Sequence, residues 1–151
     1  MRISAKADYA VRAAAELAAA APGLLKGDQI AASQSIPIKF LENILSELRH
    51  AGIVASQRGA EGGYSLARPA DEITLADVIR AVDGPLANVR GGRPETAEYV
   101  GAAAALRVVW IALRTNIRAV LESVTLADLA ANELPDEVAA LTADPEAWLS
   151  H

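Results

Sequence analysis

The sequence predicts a mainly α-helical fold that carries one small β-hairpin. Three observations predict it. Hydrophobic residues make up 52% of the 151, yet only 4% are aromatic and much of the remainder is alanine, which suits closely packed helices better than a broad sheet. Apolar residues recur at helical spacing in several stretches, most clearly in residues 37–52. Strand-like runs flank just one segment, "RGAEGGYSL" at residues 58–66, where three glycines crowd together. The length fits one domain, or one small domain with an appendage.

Taken in order, residues 5–21 ("AKADYAVRAAAELAAAA") predict a helix with Tyr9, Ala13, Leu17 and Ala20 at helical spacing, stopped by Pro22-Gly23. "GDQIAAS" predicts a second, short helix with Asp28 as its cap, followed by the brief connection "QSI". Pro37 suits the first turn of a third helix, because the amide hydrogen it lacks has no helical partner there. In that helix, "PIKFLENILSELRHAG", Leu41, Ile44, Leu45 and Leu48 fall at i, i+3, i+4 and i+7 and form a buried stripe. Lys39, Glu42, Asn43, Ser46, Arg49 and His50 repeat the spacing on the opposite side, and Gly52 stands in the C-cap position.

"IVASQ" and "YSLAR" then flank the glycine stretch as short strands. A phosphate-binding loop needs a strand before it and a helix directly after it. Here a strand follows, and then Pro69, so the glycines form a hairpin tip. "ITLADVIRAVDGP" predicts a fourth helix with Thr74 and Asp77 at capping-box spacing and Gly84-Pro85 at its end. Residues 86–97 read as a linker. Beyond it a long helix is predicted to about Val124, with Tyr99, Ala103, Leu106, Trp110, Leu113, Ile117, Val120 and Val124 in unbroken heptad spacing. Such a helix spans roughly 40 Å. "TLADL" at residues 125–129 repeats the capped "TLAD" of residues 74–77, a match too short to define an internal repeat, and residues 133–151 form a tail.

Composition removes several function classes. The absence of cysteine excludes disulfides, thiolate metal sites and cysteine nucleophiles. No run reaches the roughly 18 apolar residues of a membrane span, and the charged N-terminus lacks a signal-peptide core, so a cytoplasmic protein with no membrane partner is expected. No nucleophile–base set, metal-ligand cluster or phosphate loop points to an enzyme. The net charge of −5 is unevenly spread. Residues 1–70 hold eight Lys/Arg against six Asp/Glu, and residues 71–151 hold six against thirteen, as in a basic binding head on an acidic body.

Helix, short helix, tight turn, amphipathic helix and glycine-tipped hairpin make a winged helix-turn-helix head with a long C-terminal dimerisation helix. The face of Lys39, Glu42, Asn43 and Ser46 has side chains of the right length to read base edges in the major groove. Arg49 beside it is expected at phosphate. Arg58 and Gly59, at the base of the wing, are expected in the minor groove, where a lone arginine suits the narrow, electronegative channel.

The phrases "MRISAKADYAVRAAAELA" and "FLENILSELRHAGIVASQRGAEGGYSLARP" resemble the Rrf-type family of bacterial regulators, strongly over residues 1–85 and more loosely to about 130. The resemblance implies that the residues matching Lys39, Glu42 and Asn43 face bases, that the arginine matching Arg58 enters the minor groove, and that the positions matching Ser4, Lys6 and Tyr9 lie near phosphates. Phe40 stands where the family commonly has tyrosine. Cluster-binding members carry three cysteines in the region matching residues 86–105, whereas this chain has none. The expectation is therefore no iron–sulfur cofactor and no metal.

The reading that results is a sequence-specific DNA-binding transcriptional regulator, a repressor, acting as a homodimer on a palindromic operator of double-stranded DNA. Leu106, Trp110, Leu113, Ile117, Val120 and Val124 would form the dimer seam. The alternative is a winged helix that binds only protein, against which Lys39, Arg49 and Arg58 weigh. His50 suits the dipole at a helix end better than a metal. Arg90 and Arg93 read first as solvated loop residues, with an anionic small-molecule effector as the second reading.

Overall fold

Four small side chains decide the packing of the first helix. In the computed structural model, which describes residues 1–151, α1 (Ala5–Ala20) buries Ala7, Ala10, Ala13, Ala14 and Leu17. Alanines let the neighbouring helices approach closely, which is how a chain poor in aromatics reaches core density. Ser4 caps the helix, its hydroxyl accepting from the Ala7 N–H at 2.9 Å, a contribution of about 1 kcal/mol.

α2 (Gly27–Gln34) starts one residue before the predicted Asp28 cap. Lys26 is the capping position, and its N–H donates to Gln29 Oε1 at 2.8 Å, while Asp28 lies in the first turn, where a carboxylate favours the helix dipole. Ser35 turns the chain with a φ of 53°, Ile36 is buried behind it, and α3 (Ile38–His50) begins. Leu41, Ile44, Leu45 and Leu48 are wholly buried as predicted and share one core with Ile30, Ile53, Ile73 and Val78.

β1 (Val54–Gln57) and β2 (Gly63–Leu66) pair antiparallel, with Val54 opposite Leu66 and Gln57 opposite Gly63, which leaves Arg58–Gly62 as the tip. The hairpin has a third participant that sequence patterning does not reveal. Leu25 pairs with Tyr64 through both backbone bonds, at 3.0 and 2.7 Å, and so ties the wing to the α1–α2 connection. α4 (Leu75–Asp83) carries the predicted capping box: Asp77 N–H donates to Thr74 Oγ1, and Thr74 N–H donates to Asp77 Oδ2. Gly84 ends it with a φ of 79°.

From here the structure departs from expectation in three ways. Residues 86–97 are a folded segment: Val89 and Gly92 exchange backbone hydrogen bonds across a tight reversal, and Pro94, which opens a 3-10 turn (Pro94–Thr96), is buried. The long helix is shorter than predicted. α5 runs Leu106–Leu121, 16 residues and about 24 Å, because Gly101, with a φ of 59°, diverts the backbone into a separate 3-10 turn (Gly101–Ala103). Tyr99 and Ala103 therefore lie outside it.

Val124 is the third departure. It is placed by heptad spacing on the dimer seam, but it lies beyond the end of α5 and is 3% exposed within its own chain. Its carbonyl accepts from Leu75 N–H, and Leu126 N–H donates to the Ile73 carbonyl, both at 2.9 Å, so that Thr74 and Thr125 face each other across an antiparallel bridge. α6 (Leu126–Ala131), capped by Thr125 with its own Asp128 box, then packs along α1 with Leu126 fully buried. The segment 98–132 is thus not a unit apart from residues 1–85, because α6 completes the head. The tail holds α7 (Asp136–Leu141) and a 3-10 turn (Pro145–Trp148) with no buried residue. No helix is long and apolar enough to cross a membrane.

Candidate nucleic-acid interface

The amphipathic division of α3 sets the site. At about 100° per residue, Lys39, Glu42, Asn43, Ser46, Arg49 and His50 share one arc that lies opposite the buried leucine and isoleucine stripe. Lys39, Glu42, Asn43, Arg49 and His50 are exposed and Ser46 is half-buried. All four predicted base readers therefore stand together on the outer face of a helix whose inner face is anchored in the core. The helix end is closed by His50, whose Nδ1 donates to the Ser46 carbonyl at 2.7 Å. That bond reaches back one turn and holds the imidazole against the end of α3.

The wing tip is shaped by two of its glycines. A Cβ on Gly62 would lie 2.1 Å from the Gln57 carbonyl oxygen, and one on Gly63 would lie 2.7 Å from that of Leu25. Neither position has room for a side chain. Gly59 adopts a φ of 101°, and its carbonyl accepts from Gly62 N–H at 3.0 Å. The tip therefore projects Arg58 and Gly59, both exposed, where the strand pair ends. Glu61, also exposed, places a carboxylate at the same tip, a feature the sequence reading did not single out.

The four expected phosphate residues divide. Arg49 is exposed beside Lys39, Glu42, Asn43 and Ser46, with Nη1 3.4 Å from Ser56 Oγ. Ser4 is engaged within the chain, since its hydroxyl caps α1 and donates to Asp83. Lys6 is paired with Glu47 of α3 at 2.8 Å and so ties α1 to α3. Tyr9 is half-buried, its ring edge-on to Phe40 at 5.5 Å between centroids and capped on one face by the Arg12 guanidinium at 4.8 Å. Phe40 fills its position by packing on that ring.

α5 presents the other large surface. None of its residues is buried. Leu106, Trp110, Leu113, Ile117 and Val120 are half-buried, while Val108 and Val109 are 66% and 53% exposed, with Ala112 and Ala119 exposed beside them. Part of the predicted seam turns toward its own chain: Trp110 Nε1 donates to Tyr99 Oη at 3.1 Å, and Trp110 and Leu113 wall a hollow of about 460 Å³ with Met1, Val89 and Pro94. The apolar residues together span more than half of the helix circumference, and the three arginines (Arg107, Arg114 and Arg118) share the remaining edge. The accessible surface of the protomer is 9559 Å², against about 7,300 Å² for a compact monomer of this mass.

Comparison with known proteins agrees with this architecture. The family model described as Rrf2, iron-dependent transcriptional regulator, matches residues 3–132. A Mycobacterium tuberculosis protein named as an HTH-type transcriptional regulator is 54% identical over 145 residues, covering 95% of this chain and 90% of its own. The HTH-type transcriptional regulator CymR of Bacillus subtilis is 39% identical over 133 residues, covering 86% and 90%. Among solved structures, B. subtilis CymR, described as the global cysteine regulator of that organism, aligns with a TM-score of 0.75 at 38% identity over 87% of this chain and 98% of its own. IscR of T. potens aligns with a TM-score of 0.71 at 30% identity over 100% and 93%.

Proposed function

The chain belongs to the Rrf2 family of HTH-type transcriptional regulators, and from that premise we propose that it is a homodimeric repressor of a palindromic operator, working at the nucleoid in the cytoplasm. Its relatives are regulators and not enzymes. The observation that carries the reading is the outer face of α3, where Lys39, Glu42, Asn43 and Ser46 stand together with Arg49 at the margin. Asparagine pairs bidentately with adenine, glutamate accepts from cytosine, and lysine or arginine at phosphate supplies salt-dependent affinity. Arg58 at the wing reads the width of the neighbouring minor groove.

The homodimer rests on α5. A helix apolar over more than half of its circumference, with no buried residue and arginines confined to one edge, needs a covering partner. A second copy of the same helix supplies a self-complementary strip, and a two-fold axis then places two reading helices on symmetric half-sites.

An iron–sulfur cluster does not fit the residues present. Cysteine is absent throughout, and no three His, Asp or Glu side chains converge to hold a metal. Glu95, in the segment where such a site would lie, is spent on Arg114. Hard carboxylate oxygens also match cluster iron poorly without sulfur ligands. We therefore assign the protein no cluster.

A pull-down of genomic fragments followed by gel shifts at several salt concentrations tests the function. Selective retention of a palindromic site, with affinity falling as salt rises, is expected. Equal retention of all fragments, or no retention with a protein captured instead, would leave a winged helix used for protein binding.

A further inference from the structure

The crook between α4, the folded segment after it and α5 encloses an open cleft of about 480 Å³, within the range of small-molecule sites. Arg80, Arg93, Arg114 and Arg118 line it, together with Glu95 and Asn88. Residues 71–151 hold just six basic residues in an otherwise acidic half, and four of them converge here. Arginine supplies rigid, forked donors that match carboxylate and phosphate oxygens.

The acids present do not balance these charges. Glu122 is shared, bonded by Arg80 at 2.5 Å and by Arg118 at 3.0 Å, and Glu95 is bonded by Arg114 at 2.5 Å. Two carboxylates thus answer three guanidiniums, and Arg93 has no ion-pair partner, so the cleft keeps two uncompensated positive charges. Hydrogen bonds from Arg80 and then Arg118 hold the Glu122 carboxyl below the usual carboxylate range, so it stays ionised and fixes its arginines in place. Leu86 is the one aliphatic lining residue apart from two prolines, which disfavours an apolar ligand.

We propose that this cleft is an effector site for a small organic dianion whose two carboxylate or phosphate groups engage Arg93 and the Arg80–Arg118 pair. The ligand would bridge α4, which packs on both α1 and α3, to α5. Binding would thereby bias the placement of the reading head on its arm. This regulatory clause rests on the DNA-binding reading above, whereas the binding site does not.

Titration calorimetry of the full-length protein without DNA tests the site. The probes are succinate, citrate and inorganic pyrophosphate at fixed ionic strength, with uncharged succinamide as the control. At least one of these anions is expected to saturate with a sub-millimolar dissociation constant. Arg93→Ala should weaken it at least tenfold, and Arg107→Ala, on α5 with Arg114 and Arg118 but outside the cleft, should leave it unchanged. No saturable binding of any probe, or equal binding by Arg93→Ala, would overturn the site. The bound probe should also shift the operator affinity of the parent and not of Arg93→Ala. An unchanged operator affinity would refute regulation alone, and failure of the protein to bind any DNA would refute the proposed function while calorimetry still decided the site.

Discussion

Replacing Val108 by aspartate isolates the assembly from the fold. Val108 is 66% exposed in the protomer, so the substitution touches no core contact. That exposure corresponds to about 100 Å² of valine surface, or about 2.5 kcal/mol at about 25 cal/mol per Å² when a partner covers it. A two-fold interface counts the change twice, giving about 5 kcal/mol for complete coverage. Part of the strip stays at the rim and association has its own entropic cost, so half of that figure is the safer expectation. At about 1.4 kcal/mol per factor of ten, the dimer dissociation constant should rise roughly a hundredfold, before the cost of desolvating two carboxylates is added. Sedimentation equilibrium at micromolar concentration reads this directly, with melting temperature and circular dichroism as checks that the head remains folded. If the parent were a stable monomer at these concentrations, α5 would not be a dimer interface, and if Val108→Asp assembled as tightly as the parent, the exposed Val108 face of α5 would not be part of it.

Asn43→Ala should cost about 1 to 3 kcal/mol on the best operator and much less on random DNA; a uniform loss across sequences in gel shifts would make it a phosphate contact. Arg58→Ala should weaken operator binding and relax preference at A/T-rich flanking steps, and equal affinity of mutant and parent at matched salt would refute its role in the groove. Gly62→Ala should disrupt the wing, since its Cβ would meet the Gln57 carbonyl at 2.1 Å; amide exchange in β1 and β2 should rise while α1 stays protected, and unchanged exchange would contradict the geometry. Anaerobically purified protein should contain neither iron nor sulfide in stoichiometric amounts and should bind its operator in that state. A brown protein would overturn the assignment of no cluster.

The amphipathic helix α3 was legible in the sequence because a solvated helix on a core leaves one period and one phase, and Leu41, Ile44, Leu45 and Leu48 obey both. The wing was legible because Gly62 and Gly63 leave no room for a Cβ, and a strand rather than a helix follows them. Leu25 was invisible because a single bridging residue carries no alternation. The long helix was misjudged at both ends for one reason. Heptad spacing records which side a residue faces, not whether the backbone stays helical, and Tyr99 still reaches Trp110 from outside α5. Val124 keeps the spacing too, yet its burial belongs to the head. The phosphate positions Ser4 and Lys6 could not be judged from sequence, since their partners Asp83 and Glu47 lie 79 and 41 residues away.

The pairing of Thr74 with Thr125 makes residues 75–124 a closed circuit. The chain leaves the head through α4, runs out through residues 84–105, and comes back along α5 to within one hydrogen bond of its point of departure. α5 is therefore held from two directions, by the folded segment after Gly84 and by the backbone bonds at Val124. An arm fastened once would swing and let the DNA choose the distance between heads. An arm fastened twice behaves as a strut, so in the proposed dimer the spacing of the two half-sites would become a property of the protein. Operators with one base pair inserted at their centre should then be rejected, where a loosely tethered dimer would tolerate them.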